Sequence, residues 1–188
     1  MLLKQNQQKT CFLCGHRNLY SAMKIEKRLF VEIENLIKDG CSIFKIGTHG
    51  AFDKLSLSVC RQLKRQYPNI KIQVVFTSLN AFAKDEYGFC LADLYKDVET
   101  MIYPIEDVYF KKQITMCNRM MINDSNIIVC YIDKSKSVSG AKAAMNYAER
   151  NNKKVINLYR EEDDPFYGLT TKEIEKWWKD IKKIIDKK

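Results

Sequence analysis

Apolar positions along the chain switch repeatedly between a short continuous pattern and a helical one. TCFLC (10–14) is a compact apolar run that ends at Gly15. Over 20–39, Ala22, Ile25, Leu29, Ile33 and Leu36 recur at three- and four-residue intervals, and Gly40 follows as a C-terminal stop. CSIFKI (41–46) reads as a second strand, ending at Gly47. In 51–67, Ala51, Leu55, Val59 and Leu63 share a helix face that Pro68 terminates, and KIQVVF (71–76) makes a third strand. The stretch 77–99 carries no clear period and is expected to be a loop with a short helix. TMIYPI (100–105) predicts a strand and 106–121 a helix. NIIVCYI (126–132) is almost wholly apolar, as a strand covered on both faces must be. A helix over 140–150 turns Ala141, Ala144, Met145 and Ala148 inward, and KKVINL (153–158) is the last strand, extending to Tyr159.

Strands alternating with helices at this spacing predict an α/β chain of Rossmann-like, three-layer build, with a mainly parallel sheet and helices on both faces. One domain spanning 1–188 accounts for the pattern. Beyond an acidic connection (Glu161 to Asp164) and Pro165, an amphipathic helix over 170–187, within an appended segment 166–188, lines up Ile174, Trp177, Trp178, Ile181, Ile184 and Ile185. That face is expected to dock on the chain's own sheet or on a second subunit. Its width favours a homodimer, since large apolar patches mark interfaces. Lysines and tryptophans also suit a membrane surface, but the mixed acidic and basic polar face argues against one.

Composition narrows the functional classes. The 46% hydrophobic and 29% charged fractions are those of an ordinary globular domain. No apolar run approaches the roughly 20 residues that span a bilayer, and MLLKQNQQKT lacks a signal-peptide core, so a cytoplasmic location is expected. Seven cysteines without a regular framework suit reduced thiols. Cys11 and Cys14 form a C-x-x-C, yet no second Cys/His pair follows, and strand residues three apart face opposite ways. Neither a metal nor a cofactor is expected. The net charge of +9 favours anionic ligands.

Candidate chemistry sits where strands end, because open parallel sheets bind ligands beyond their carboxyl edge. Gly15-His16-Arg17 follows the first strand, and Gly47-Thr48-His49-Gly50-Ala51-Phe52-Asp53 the second. After Asp133, Ser139-Gly140-Ala141-Lys142 opens a helix. Glycines there let backbone N–H groups approach an anion, a helix N-terminus adds partial positive charge, and Arg17 offers a forked donor. No G-x-x-x-x-G-K-[ST], G-x-G-x-x-G or G-x-S-x-G occurs, which disfavours standard nucleotide hydrolysis, dinucleotide redox chemistry and serine hydrolysis.

Four collinear segments carry a family resemblance: TCFLCGHR (10–17), FKIGTHGAFDKLSLSVCRQLKRQYPNIKIQVV (44–75), NRMMINDSNIIVCYID (118–133) and SGAKAAMNYAERNNKKVINL (139–158). Together they resemble the SLOG superfamily and, within it, its small bacterial YpsA-like branch. The resemblance implies a Rossmann-like domain binding a nucleotide or nucleotide-derived phosphate ligand. Gly15 to Arg17, Gly47 to Asp53, Arg119 and Ser139 to Lys142 would line the pocket. The superfamily also holds LOG phosphoribohydrolases and DprA DNA-processing proteins. LOG enzymes carry a catalytic glutamate where this chain has Ala144, which leaves Asp53 or Asp133 as the carboxylates available for glycosidic cleavage. Single-stranded nucleic-acid binding is the weakest implication, because no aromatic platform is interleaved with the basic residues.

Overall fold

The computed structural model describes residues 8–103, 105, 108–135 and 139–185. The expected helix start at 106, the loop residues 136–138 and the last residues expected in the terminal helix lie outside these. So do the first seven residues of the N-terminal stretch. Six strands form one sheet: β1 (Lys9–Gly15), β2 (Cys41–Ile46), β3 (Lys71–Phe76), β4 (Glu99–Ile102), β5 (Ile127–Tyr131) and β6 (Lys154–Asn157). Their order is β4-β3-β2-β1-β5-β6, and every pairing is parallel. The helices are α1 (Ala22–Lys38), α2 (Ala51–Gln66), α3 (Phe110–Asn123), α4 (Gly140–Arg150) and α5 (Thr171–Ile185). Stretch 77–98 holds two short 3-10 turns, Leu79–Phe82 and Leu91–Tyr95.

Each face of the sheet has its own core. On one, Ile25, Leu29, Ile33 and Leu36 of α1 are buried with α2 against Leu13, Phe44, Ile46 and Val74. On the other, Met121 and Ile122 of α3 and Met145 and Ala148 of α4 cover Phe12, Val75 and Ile128. Full burial of each such aliphatic or aromatic side chain contributes about 1.5–3 kcal/mol. Cys11 belongs to the first core and Cys14 to the second, as strand alternation requires. All seven cysteines are free thiols, six of them buried. Lys45 is a buried cation on β2, its Nζ held by the Tyr103 hydroxyl at 2.9 Å and Asp124 Oδ2 at 3.0 Å.

The strand order places the topological reversal between β1 and β5, and the contacts there are tight. Phe52, in the first turn of α2, lies over Gly15 and stacks on Tyr131 with ring centroids 6.0 Å apart. A Cβ on Gly15 would come within 2.5 Å of the Phe52 ring. Glycine is thus required at that strand end by packing alone. Gly15→Ala is expected to destabilise the chain by about 1–3 kcal/mol, read as a lower denaturant midpoint at unchanged slope. An unaltered midpoint would show that Phe52 does not seat on β1.

Candidate functional site

A cavity of roughly 370 Å³ opens at the carboxyl ends of β1, β2 and β3, roofed by α3 and the start of α4. Small-molecule sites commonly fall in this range, about 300–1,000 Å³. Its floor is apolar and buried: Phe12, Cys14, Val75, Cys117 and Met121. Its rim is polar and includes Arg17, Asn18, His49, Asn118, Ser139 and Gly140.

The loop before α2 is closed by its own acid. Asp53 Oδ2 accepts the His49 N–H at 2.9 Å, the Gly50 N–H also stabilises the carboxylate, and the Ala51 N–H is taken by the Arg17 carbonyl at 2.9 Å. Gly50 allows this closeness: a Cβ there would stand 3.2 Å from the Arg17 Cα. Burial pushes the Asp53 carboxyl up to about 6 despite those two backbone donors.

The start of α4 is built differently. Ser139 caps the helix, its Oγ accepting the Lys142 N–H at 3.0 Å. The N–H groups of Gly140 and Ala141 have no partner among the described residues, as the first residues of a helix have no intrahelical acceptor. Among the described residues, a Cβ on Gly140 would meet nothing within 4 Å, so their packing does not demand glycine there.

His16 is buried and tied to the reversal. Its Nε2 accepts the Asp133 N–H at 2.7 Å while its backbone N–H donates to the Tyr131 carbonyl at 3.1 Å. An accepting Nε2 leaves the ring proton on Nδ1. His49 Nε2 lies 3.2 Å from the Thr77 hydroxyl, and desolvation with the charge of Arg17 lowers its pKa. Arg17 is exposed and forms no ion pair among the described residues.

Most of the expected residues converge on this cavity: Gly15, His16, Arg17, Gly47, His49, Gly50, Asp53, Ser139, Gly140 and Ala141 line it. Arg119, Thr48 and Lys142 do not. Arg119 stands exposed on α3 with its guanidinium 5.2 Å from the Tyr147 ring, since each helical step rotates 100° and Asn118 takes the inward position. Lys142 sends its Nζ to the Lys134 carbonyl at 2.7 Å. Asp133 also lies outside, its Oδ1 accepting the N–H and hydroxyl of Ser135. Residues not anticipated are the floor residues Phe12, Cys14, Val75, Cys117 and Met121, together with Asn18, Tyr20, Thr77, Ile114 and Asn118. Thr77 follows directly from the strand-end rule applied to β3, and the N-R-x-M segment supplies its asparagine and second methionine instead of its arginine.

The model of the YspA SLOG family matches residues 16–162. The chain belongs to that family. No curated protein matches it. The SLOG match begins at His16 and ends at Glu162, so it takes in every rim loop and leaves α5 outside. Ala144 is buried against the sheet and presents no carboxylate.

The raised value of Asp53 gives a pH signature. Its proton is held more tightly in the folded chain, so its contribution to stability is fully present below the ordinary 3.8 and lost as pH rises through about 6. Asp53→Asn has no such proton, and its unfolding free energy is expected to fall less across that window. Denaturant titrations at several pH values check this. Parallel profiles for both proteins would contradict the burial of this carboxyl.

Proposed function

We propose that the cavity binds a nucleotide or nucleotide-derived phosphate ligand and that the protein acts as a binding or sensing module. The observation that carries the reading is the start of α4: two N–H groups without a partner and a glycine with nothing at its Cβ position, both among the described residues, on the rim of the cavity. Helix N-termini favour anions through their free amides and partial charge. Arg17, also on the rim, supplies a forked donor for the same phosphate. The floor of Phe12, Val75 and Met121 suits a flat ring, with Asn118 and Thr77 available to its polar edge. Membership in the YspA SLOG family supports a nucleotide-derived ligand.

A thermal-shift panel of nucleoside phosphates, sugar phosphates and ADP-ribose derivatives tests it. Ligand at a hundredfold excess over Kd stabilises by about 2.7 kcal/mol. Gly140→Ala is expected to leave the free protein's melting temperature unchanged or slightly higher, and to weaken the best ligand about tenfold or more. Absence of any stabilising phosphate compound would defeat the reading.

A second reading, glycosidic cleavage of a nucleoside monophosphate, draws on one observation: a cavity carboxyl pushed up to about 6 is suited to proton transfer near neutral pH. Against it, that carboxylate is already committed to the His49 N–H. Chromatographic release of free base that disappears in Asp53→Asn would favour cleavage. Intact ligand after long incubation would leave binding alone.

A further inference from the structure

Helix α5 does not bury its apolar face on the chain's own sheet, contrary to one expectation. Trp177 and Trp178 are 45% and 55% exposed, and no described side chain of the helix is buried. A ligand chemistry can be read instead from a group inside the cavity that the protein itself does not use.

Most polar side chains lining the cavity are committed to the protein. His16 Nε2 holds the Asp133 N–H, Asp53 that of His49 and Ser139 that of Lys142, while the Thr77 hydroxyl lies 3.2 Å from His49 Nε2. Arg17, Asn18 and Tyr20 are exposed on the rim, where water can serve them. Asn118 is different. It is half-buried in the α3 wall beside the buried Cys117, and its amide bonds nothing among the described residues.

The helix turns this amide inward. Ile114, Cys117, Asn118 and Met121 recur at three- and four-residue spacing, and all four line the cavity, while the Arg119 guanidinium stands outside it near Tyr147. An otherwise apolar strip is therefore interrupted by one amide. Folding alone does not favour that choice. Asparagine is a weak helix former, and an amide drawn part-way out of water costs free energy unless something bonds it. A leucine would continue the strip without either cost.

We infer that Asn118 reads the edge of a nucleobase, registering that a purine is present with little regard to which one. The inference rests on the phosphate reading above. A side-chain amide sets an N–H donor beside a C=O acceptor. Each purine sets the complement on its pairing edge: adenine has the N6 donor beside the N1 acceptor, and guanine the O6 acceptor beside the N1 donor. The order is opposite in the two bases. Among the described residues no neighbour holds the Asn118 oxygen or nitrogen in place, so the amide turns over to meet either order. A carboxylate or a guanidinium, carrying acceptors only or donors only, would have to choose.

Calorimetric titration with ribose 5-phosphate, adenosine monophosphate (AMP) and guanosine monophosphate (GMP) tests it. The wild-type chain is expected to bind the two nucleotides within about threefold of each other, and each about tenfold or more tighter than ribose 5-phosphate. Asn118→Ala should bring both nucleotides close to ribose 5-phosphate, whose own affinity stays within about twofold and reports an intact fold and phosphate site. Asn118→Asp presents two acceptors, matching the N1–H and N2–H of guanine. Its GMP-to-AMP affinity ratio should rise about tenfold or more, which a merely structural residue would not produce. An unchanged ratio in Asn118→Asp overturns the inference, as does equal loss of all three ligands in Asn118→Ala. So does a wild-type preference above about tenfold for one purine, or ribose 5-phosphate binding as tightly as the nucleotides. Those outcomes leave the phosphate site standing. If none of the three binds the wild-type chain, the phosphate reading fails and this inference fails with it.

Discussion

The carboxylate of Asp53 occupies amides that an incoming anion would need. Once it holds the His49 N–H, and the Arg17 carbonyl holds that of Ala51, the entrance to α2 is chemically complete. A second negative charge there would meet a carboxylate instead of free donors. On the proposed function the anion binds instead at α4, where the N–H groups of Gly140 and Ala141 have no partner among the described residues. The two glycine-bearing loops would then divide the work: one is structural and shapes the wall, the other takes the ligand.

The same constraint explains why glycine appears at both ends of the reversal for opposite reasons. Gly15 is forced by the protein, because Phe52 must lie on the end of β1 to reach Tyr131. Tyr131 in turn touches His16 and Tyr159, the latter at the end of β6 where the linker begins. A continuous packed column thus runs from the cavity wall to the root of the terminal helix. Through that column, the orientation of the linker and the shape of the site rest on shared contacts.

Much of this was legible in the amino-acid sequence. Every strand and helix expected has a counterpart within a few residues, because each segment was long enough to display its period. The loop 77–98 was not, since two 3-10 turns of four and five residues show no amphipathic repeat and are held by local caps such as Asp93 on the Cys90 N–H. At the sheet edge, the strand-end glycines marked loops that border the cavity. Side-chain direction was the illegible part: Arg119 and Asn118 are adjacent in sequence yet point to different surroundings, and Lys142 is drawn aside by a carbonyl eight residues back. The apolar floor was hidden for another reason. Phe12, Val75 and Met121 look in sequence like any core residue, and only the gap between α3 and the strand ends turns them into a lining.

Amide chemical shifts measured during titration with adenosine monophosphate test the central claim most directly. The division of labour predicts that the Gly140 and Ala141 N–H signals move furthest downfield, while those of His49 and Ala51 keep their positions. Large shifts at His49 and Ala51 with none at Gly140 would place the phosphate at α2 and contradict the account.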